Sequence, residues 1–149
     1  MNNGSVTRQE TSTVGAGLTP EAVQAVATAA DRVYDAWAAT STQQRVGILA
    51  AVCAPDVAYA NPLRRASGVQ ALAELISELR AAYPGYLPAR ISGVDAHHDV
   101  ARYDWALRDR SGQAVLGGIE IVRFTLEVRL TSVVSFFGPP PRINYIYQA

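Results

Sequence analysis

Residues 100–107, VARYDWAL, change the grain of the chain. Side chains alternate across a strand, so Val100, Arg102, Asp104 and Ala106 share one face and Ala101, Tyr103, Trp105 and Leu107 the other. The same period of two recurs on either side, in ARISGVDA (89–96), AVLGGIEIVRF (114–124) and RLTSVVSFF (129–137). Polar turns separate these runs at HHD (97–99), DRSGQ (109–113) and TLEV (125–128), which predicts a four-stranded meander after Pro88.

Upstream the period is helical. Thr19-Pro20-Glu21 reads as cap, first-turn proline and first-turn acid, and Val23, Val26, Ala27, Ala30, Val33, Tyr34 and Trp37 follow on one stripe as far as Thr40. Thr42 is expected to cap a second helix carrying Val46, Leu49, Ala50 and Cys53, which Pro55 stops. DVAYANP (56–62) reads as a short strand and turn, and Ser67 as the cap of a third helix with Val69, Leu72, Ile76 and Leu79 inward, ended by YPGY (83–86). Helices first and a meander after give an α+β class: a cone-shaped, strongly curved antiparallel sheet packed against three N-terminal helices, an α+β barrel. A cone closed by helices suits a small, mostly apolar ligand held by a few polar groups.

Length and composition bound the rest. A chain of 149 residues with 49% hydrophobic content makes one domain with a core. We expect residues 1–18, poor in large apolar side chains, to be a flexible arm, 19–138 the folded domain and 139–149 a proline-led tail. Thirteen basic and thirteen acidic residues cancel, which disfavours nucleic acid and anionic membranes as partners. No stretch reads as an export signal or a membrane span, so a cytoplasmic location is expected. Cys53, the single cysteine, has no internal disulfide partner and reads as a small hydrophobe. Asp95, His97, His98 and Asp99 lie at a hairpin tip where side chains diverge, so no metal is expected there, and no cofactor motif occurs.

Three places could carry chemistry. Arg102 and Asp104 are same-face neighbours able to pair, either as an exposed ion pair with Tyr103 and Trp105 in the core or as a site. Glu120 shares its face with Leu116, Gly118, Val122 and Phe124; either a carboxylate there is desolvated, with its pKa raised unless a cation meets it, or the strand turns that face to water at this point. YANPL (59–63) sets a phenol and a carboxamide two residues apart at a turn; Asn61 there closes the turn with its side chain or offers it to a pocket.

With this element order, APDVAYANP (54–62), SGVQAL (67–72) and RLTSVVSFF (129–137) make the chain resemble a nuclear transport factor 2-like, SnoaL-like domain from about Leu18 to Phe137. The resemblance implies a dimeric fold, through the outer sheet face, whose relatives include ketosteroid isomerases, limonene epoxide hydrolases and polyketide cyclases. Against the epoxide hydrolases, Tyr59 and Asn61 resemble the water-holding pair and Arg102-Tyr103-Asp104 the Arg-x-Asp acid, while Ser135 stands at the second aspartate. Against the isomerases, Glu120 resembles the protonated acid of the oxyanion hole, Asn61 replaces the basic aspartate, and the oxyanion tyrosine falls near Val33, with Tyr34 one position off and aimed elsewhere.

On that resemblance Asp104, Arg102 and Glu120 are the expected catalytic residues, with Arg102 and Asp104 facing the cavity. Tyr59, Asn61, Ser135, Trp37 and Phe137 are the expected substrate contacts. The implied activity is acid-assisted epoxide opening, cyclisation or isomerisation of an apolar oxygenated molecule. A noncatalytic ligand-binding or dimeric interaction domain is the alternative.

Overall fold

Thr19 Oγ1 accepts the backbone N–H of Ala22 over 3.1 Å and Pro20 occupies the first turn, so the chain enters helix α1 (Pro20–Ala38) with an orphan donor satisfied. The computed structural model describes residues 12–144. Helix α1 buries Val23, Val26, Ala30, Val33 and Tyr34 along the expected stripe. In helix α2 (Thr42–Val52) the cap is Ser41, whose Oγ accepts from Gln44, one residue before the expected Thr42. Helix α2 gives way directly to strand β2 (Cys53–Ala60), so Cys53 closes the helix instead of lying on its stripe. Pro55, which donates no ladder hydrogen bond, sits in β2 where its pairing slips register between Cys53 and Ala58.

The turn after β2 returns the chain as β3 (Arg65–Ser67), a short strand the sequence did not announce. Gly68, at φ 90°, caps helix α3 (Val69–Ala82) without a side-chain bond, in place of the expected Ser67. Leu72 and Ile76 are fully buried from α3. The expected strand 89–96 splits into β4 (Leu87–Arg90) and β5 (Asp95–His97). Between them Ser92 leaves the ladder and its Oγ accepts the Asp104 N–H over 2.8 Å. Strands β6 (Val100–Arg108), β7 (Ala114–Phe124) and β8 (Leu130–Ser135) complete the meander.

The strands form one strongly curved sheet around the three helices, the cone read from the sequence. Two parallel pairings make it mixed instead of wholly antiparallel: β2 beside β8, and a two-residue β1 (Thr13–Val14) beside β5. Part of the expected arm therefore joins the sheet, through backbone bonds that require no apolar side chains; residues 1–11 lie outside the described residues. Of the tail, 139–144 carry no regular structure with Ile143 exposed, and Tyr145, Ile146 and Tyr147 lie outside the described residues. Among the described residues no helix is long and apolar enough to cross a membrane.

Candidate functional site

Register creates the site. Tyr103 on β6 is the direct partner of Glu120 on β7, and Glu120 the direct partner of Ser135 on β8, so three side chains stand in one row across the concave face. The Tyr103 hydroxyl donates to Glu120 Oε1 over 2.7 Å and the Ser135 hydroxyl to Oε2 over 2.9 Å. From helix α1 the Tyr34 hydroxyl donates to Oε1 over 3.0 Å. Tyr34 and Tyr103 meet edge to face, with ring centres 6.4 Å apart.

Glu120 is 4% exposed. Burial raises its pKa, and the three donated hydrogen bonds, led by that of Tyr103, oppose the rise without cancelling it. Burial thus favours the protonated form, while donors for its conjugate base are already in place. Each surrounding hydroxyl accepts as well as donates, so one of them takes the carboxyl proton when Glu120 is neutral. Tyr34, Tyr59 and Tyr103 have pKa values raised by burial first and by the field of Glu120 second, which keeps all three phenols protonated.

Glu120, Ser135 and Tyr34 open onto a cavity of about 260 Å³ inside the cone. Trp37, Trp105 and Phe137 form an aromatic wall, with Trp105 and Phe137 edge to face at 5.7 Å, and Leu79, Leu107 and Leu116 add aliphatic surface. The cavity is near the small end of ligand pockets, and its apolar wall with few polar groups is their usual makeup.

YANPL serves both purposes weighed for it. Asn61 Oδ1 accepts the backbone N–H groups of Leu63 and Arg64 over 2.8 and 2.9 Å and so closes the turn. Its Nδ2 donates to the Tyr59 hydroxyl over 3.2 Å, and both side chains line the cavity. The phenolic proton of Tyr59 has no acceptor among the described residues and is left for a ligand.

The structure brings Glu120, Tyr59, Asn61, Ser135, Trp37 and Phe137 together as expected, and it separates Arg102 and Asp104 from them. Both are exposed on the convex face, and Arg102 pairs with Asp95 over 2.8 Å, not with Asp104. The Tyr103 and Trp105 face is the one the helices bury, because aromatic area gains more from burial than a charged pair does. The expected cavity-facing Arg102 and Asp104 are therefore corrected to a surface position. Tyr34, expected to aim elsewhere, reaches Glu120.

Sequence reasoning also passed over Arg80, which lines the cavity from α3. A signal existed: Arg80 continues the i, i+4 row of the buried Leu72 and Ile76. Cys53, buried, has its thiol pushed up to about 11 by burial, with Arg129 opposing, which leaves it an unreactive thiol. His97 and His98 remain at the exposed tip, and no group of three ligating side chains occurs among the described residues.

No family profile and no curated protein matches this sequence. Solved structures do. A candidate isomerase of the SnoaL-like family from Agrobacterium tumefaciens shares 28% identity with a TM-score of 0.72, covering 78% of this chain and 99% of that one. A candidate SnoaL-like polyketide cyclase from Jannaschia shares 13% identity at a TM-score of 0.63, over 83% of this chain and 91% of that one. A candidate polyketide cyclase from Bacillus cereus shares 12% at 0.64, over 90% and 88%. The last two speak for the fold alone, while the first adds sequence similarity over the same cone. With its three helices and its curved mixed sheet, the chain has the nuclear transport factor 2-like fold, and it is similar to SnoaL-like members of that superfamily.

Proposed function

We propose that this chain is a small-molecule enzyme that performs acid-assisted chemistry on an apolar oxygenated substrate, by epoxide opening, cyclisation or isomerisation. The observation that carries the reading is Glu120: a buried carboxyl, its pKa raised by burial, facing an apolar cavity and ringed by the hydroxyls of Tyr34, Tyr103 and Ser135. Glu120 gives its proton to a carbonyl or epoxide oxygen as that oxygen gains negative charge, and the carboxylate left behind is held by the three hydroxyls. Tyr59, steadied by Asn61, donates to the same oxygen or to a water. The proton returns to Glu120 from the activated water or from the carbon acid of the substrate, so the group ends the cycle neutral. The isomerase and cyclase descriptions of the structural neighbours agree with proton transfer at a carbonyl.

Assembly as a homodimer through the outer sheet face and a cytoplasmic location belong to the same proposal. The convex side supports the first: Ile119, Ile121 and Val134 line it with Phe136, which is 53% exposed.

The test is turnover of a panel of epoxides and conjugated enones, followed by mass spectrometry, in wild type and Glu120→Gln. Loss of turnover with an unchanged circular dichroism spectrum is expected, and full turnover in the variant sinks the acid role. A second reading, ligand binding without catalysis, draws on the cavity having, among the described residues, Glu120 as its one carboxyl-bearing wall residue. It is preferred if wild type binds members of the panel and converts none.

A further inference from the structure

Arg80 stands in the cavity wall without an anion. Its Nη1 donates to the Tyr86 carbonyl over 3.1 Å, and its Nε is buried with no partner. The ion pairs among the described residues use Arg32, Arg64, Arg90, Arg102 and Arg123, not Arg80. Among the described residues the one carboxyl on the cavity wall, that of Glu120, is engaged by three hydroxyls instead.

A second cation sits close enough for Arg80 to act on it. Arg45 is 5% exposed and donates to the Ala36 and Ala39 carbonyls at the end of α1 and to Ser77 Oγ on α3, none of which supplies a full negative charge. Its pKa is lowered by burial and then by the field of Arg80. Two guanidinium groups thus share one region of the protein, and no carboxylate pairs with either among the described residues.

A half-buried cation beside apolar surface is costly unless an anion meets it, and a guanidinium presents five N–H donors, of which Arg80 uses one on the protein. The same wall holds another orphan donor, Trp105 Nε1, buried and without an acceptor. The cavity wall therefore offers donors and positive charge at Arg80 and a hydroxyl-bound carboxyl at Glu120, together with aromatic and aliphatic surface. We propose that the cavity takes a small apolar carboxylate, its anion held by Arg80 and its apolar body against Trp105 and Phe137. A single free guanidinium matches the single charge of a carboxylate better than the two charges of a phosphate monoester.

This inference rests on the cavity being the ligand site of the proposed function, and it does not require Glu120 to do chemistry. Trp37 and Trp105 in the wall supply a fluorescence readout. The probes are cinnamate, its neutral isostere cinnamamide, and phenyl phosphate, titrated at pH 7 into wild type, Arg80→Gln, Arg80→Lys and Glu120→Gln. Wild type is expected to bind cinnamate at least about tenfold tighter than cinnamamide and tighter than phenyl phosphate. That preference should vanish in Arg80→Gln, survive in part in Arg80→Lys, and persist in Glu120→Gln.

Equal affinity for cinnamate and cinnamamide, no binding of either at millimolar concentration, or a preference that survives in Arg80→Gln overturns the proposal. Tighter binding of phenyl phosphate overturns the choice of carboxylate. Should Arg80→Gln fail to fold, the wild-type comparison of acid with amide still decides. A wild type that binds cinnamate selectively but converts nothing in the epoxide and enone panel leaves this inference standing and removes the enzymatic reading.

Discussion

The Tyr103 hydroxyl lies 2.7 Å from Glu120 Oε1, the shortest of the three hydrogen bonds that reach this carboxyl. Two opposed effects therefore meet at one group. Burial favours the protonated acid, and donated hydrogen bonds favour the anion that forms after proton transfer.

The sign of the resulting pH dependence follows. Glu120 has a folded-state pKa above the ordinary carboxyl value of 4.5, so below that value both folded and unfolded chains hold the proton and the group is neutral in stability. As pH rises past about 4.5, the unfolded chain ionises first and stability falls, until the folded-state pKa is passed. Urea unfolding across pH 4 to 8 should show wild type losing stability relative to Glu120→Gln over that interval. A constant difference between the two would show that burial does not hold the proton.

Tyr103→Phe removes the strongest of the opposing hydrogen bonds, so the Glu120 pKa should climb further and the alkaline limb of the activity profile should move to higher pH. Ser135→Ala and Tyr34→Phe should move it in the same direction by less. The stability cost of each is on the order of 0.5–1.5 kcal/mol, that of one hydrogen bond. The shift can be read from pH-rate profiles.

Asp104→Asn and Arg102→Gln should leave turnover at the wild-type level and stability within about 0.5 kcal/mol, because both side chains are exposed on the convex face. A large loss of turnover in either would restore the Arg-x-Asp site to consideration.

Gly118→Ala should destabilise by about 3 kcal/mol, near the upper end of overpacking costs, because a Cβ there collides with the Phe136 carbonyl and approaches Trp105 Nε1 to 3.1 Å. Gly117→Ala, whose Cβ would lie 3.3 Å from the Trp105 carbonyl, should cost under about 1 kcal/mol. Thermal unfolding of the two variants compares them directly.

Phe136→Glu tests the outer face as an interface. Sedimentation should show a dimer in wild type and a monomer in the variant; a wild-type monomer at micromolar concentration removes the dimer from the proposal.

The sequence made the architecture legible because, one short strand at DVAYANP apart, the period is helical before Pro88 and two after it, and caps and turns mark most ends. It flagged Glu120 because a carboxylate among Leu116, Val122 and Phe124 is either desolvated or lies where the strand turns to water, and burial at 4% exposure decides for the first. Which face of VARYDWAL turns inward was the harder matter. Alternation defines two faces without orienting them, and the Arg-x-Asp likeness argued for the face that the burial of Tyr103 and Trp105 excludes. Tyr34 was visible on its helical stripe, yet its reach to Glu120 depends on how α1 crosses the sheet, a tertiary fact that no local pattern encodes. The strands β1 and β3 and the parallel pairing of β2 with β8 escaped notice for the same reason: short segments acquire their partners from distant parts of the chain.

The row of Tyr103, Glu120 and Ser135 runs across the strands, not along one of them. A slip of a single residue between β6 and β7 would present Ile119 or Ile121 to Tyr103 and turn the carboxyl out to solvent. The proton-transfer apparatus thus exists only when three strands have docked in one alignment. Recovery of ligand chemistry during refolding would time the final zippering of the sheet, and a chain trapped in a neighbouring alignment would be inert however complete its secondary structure.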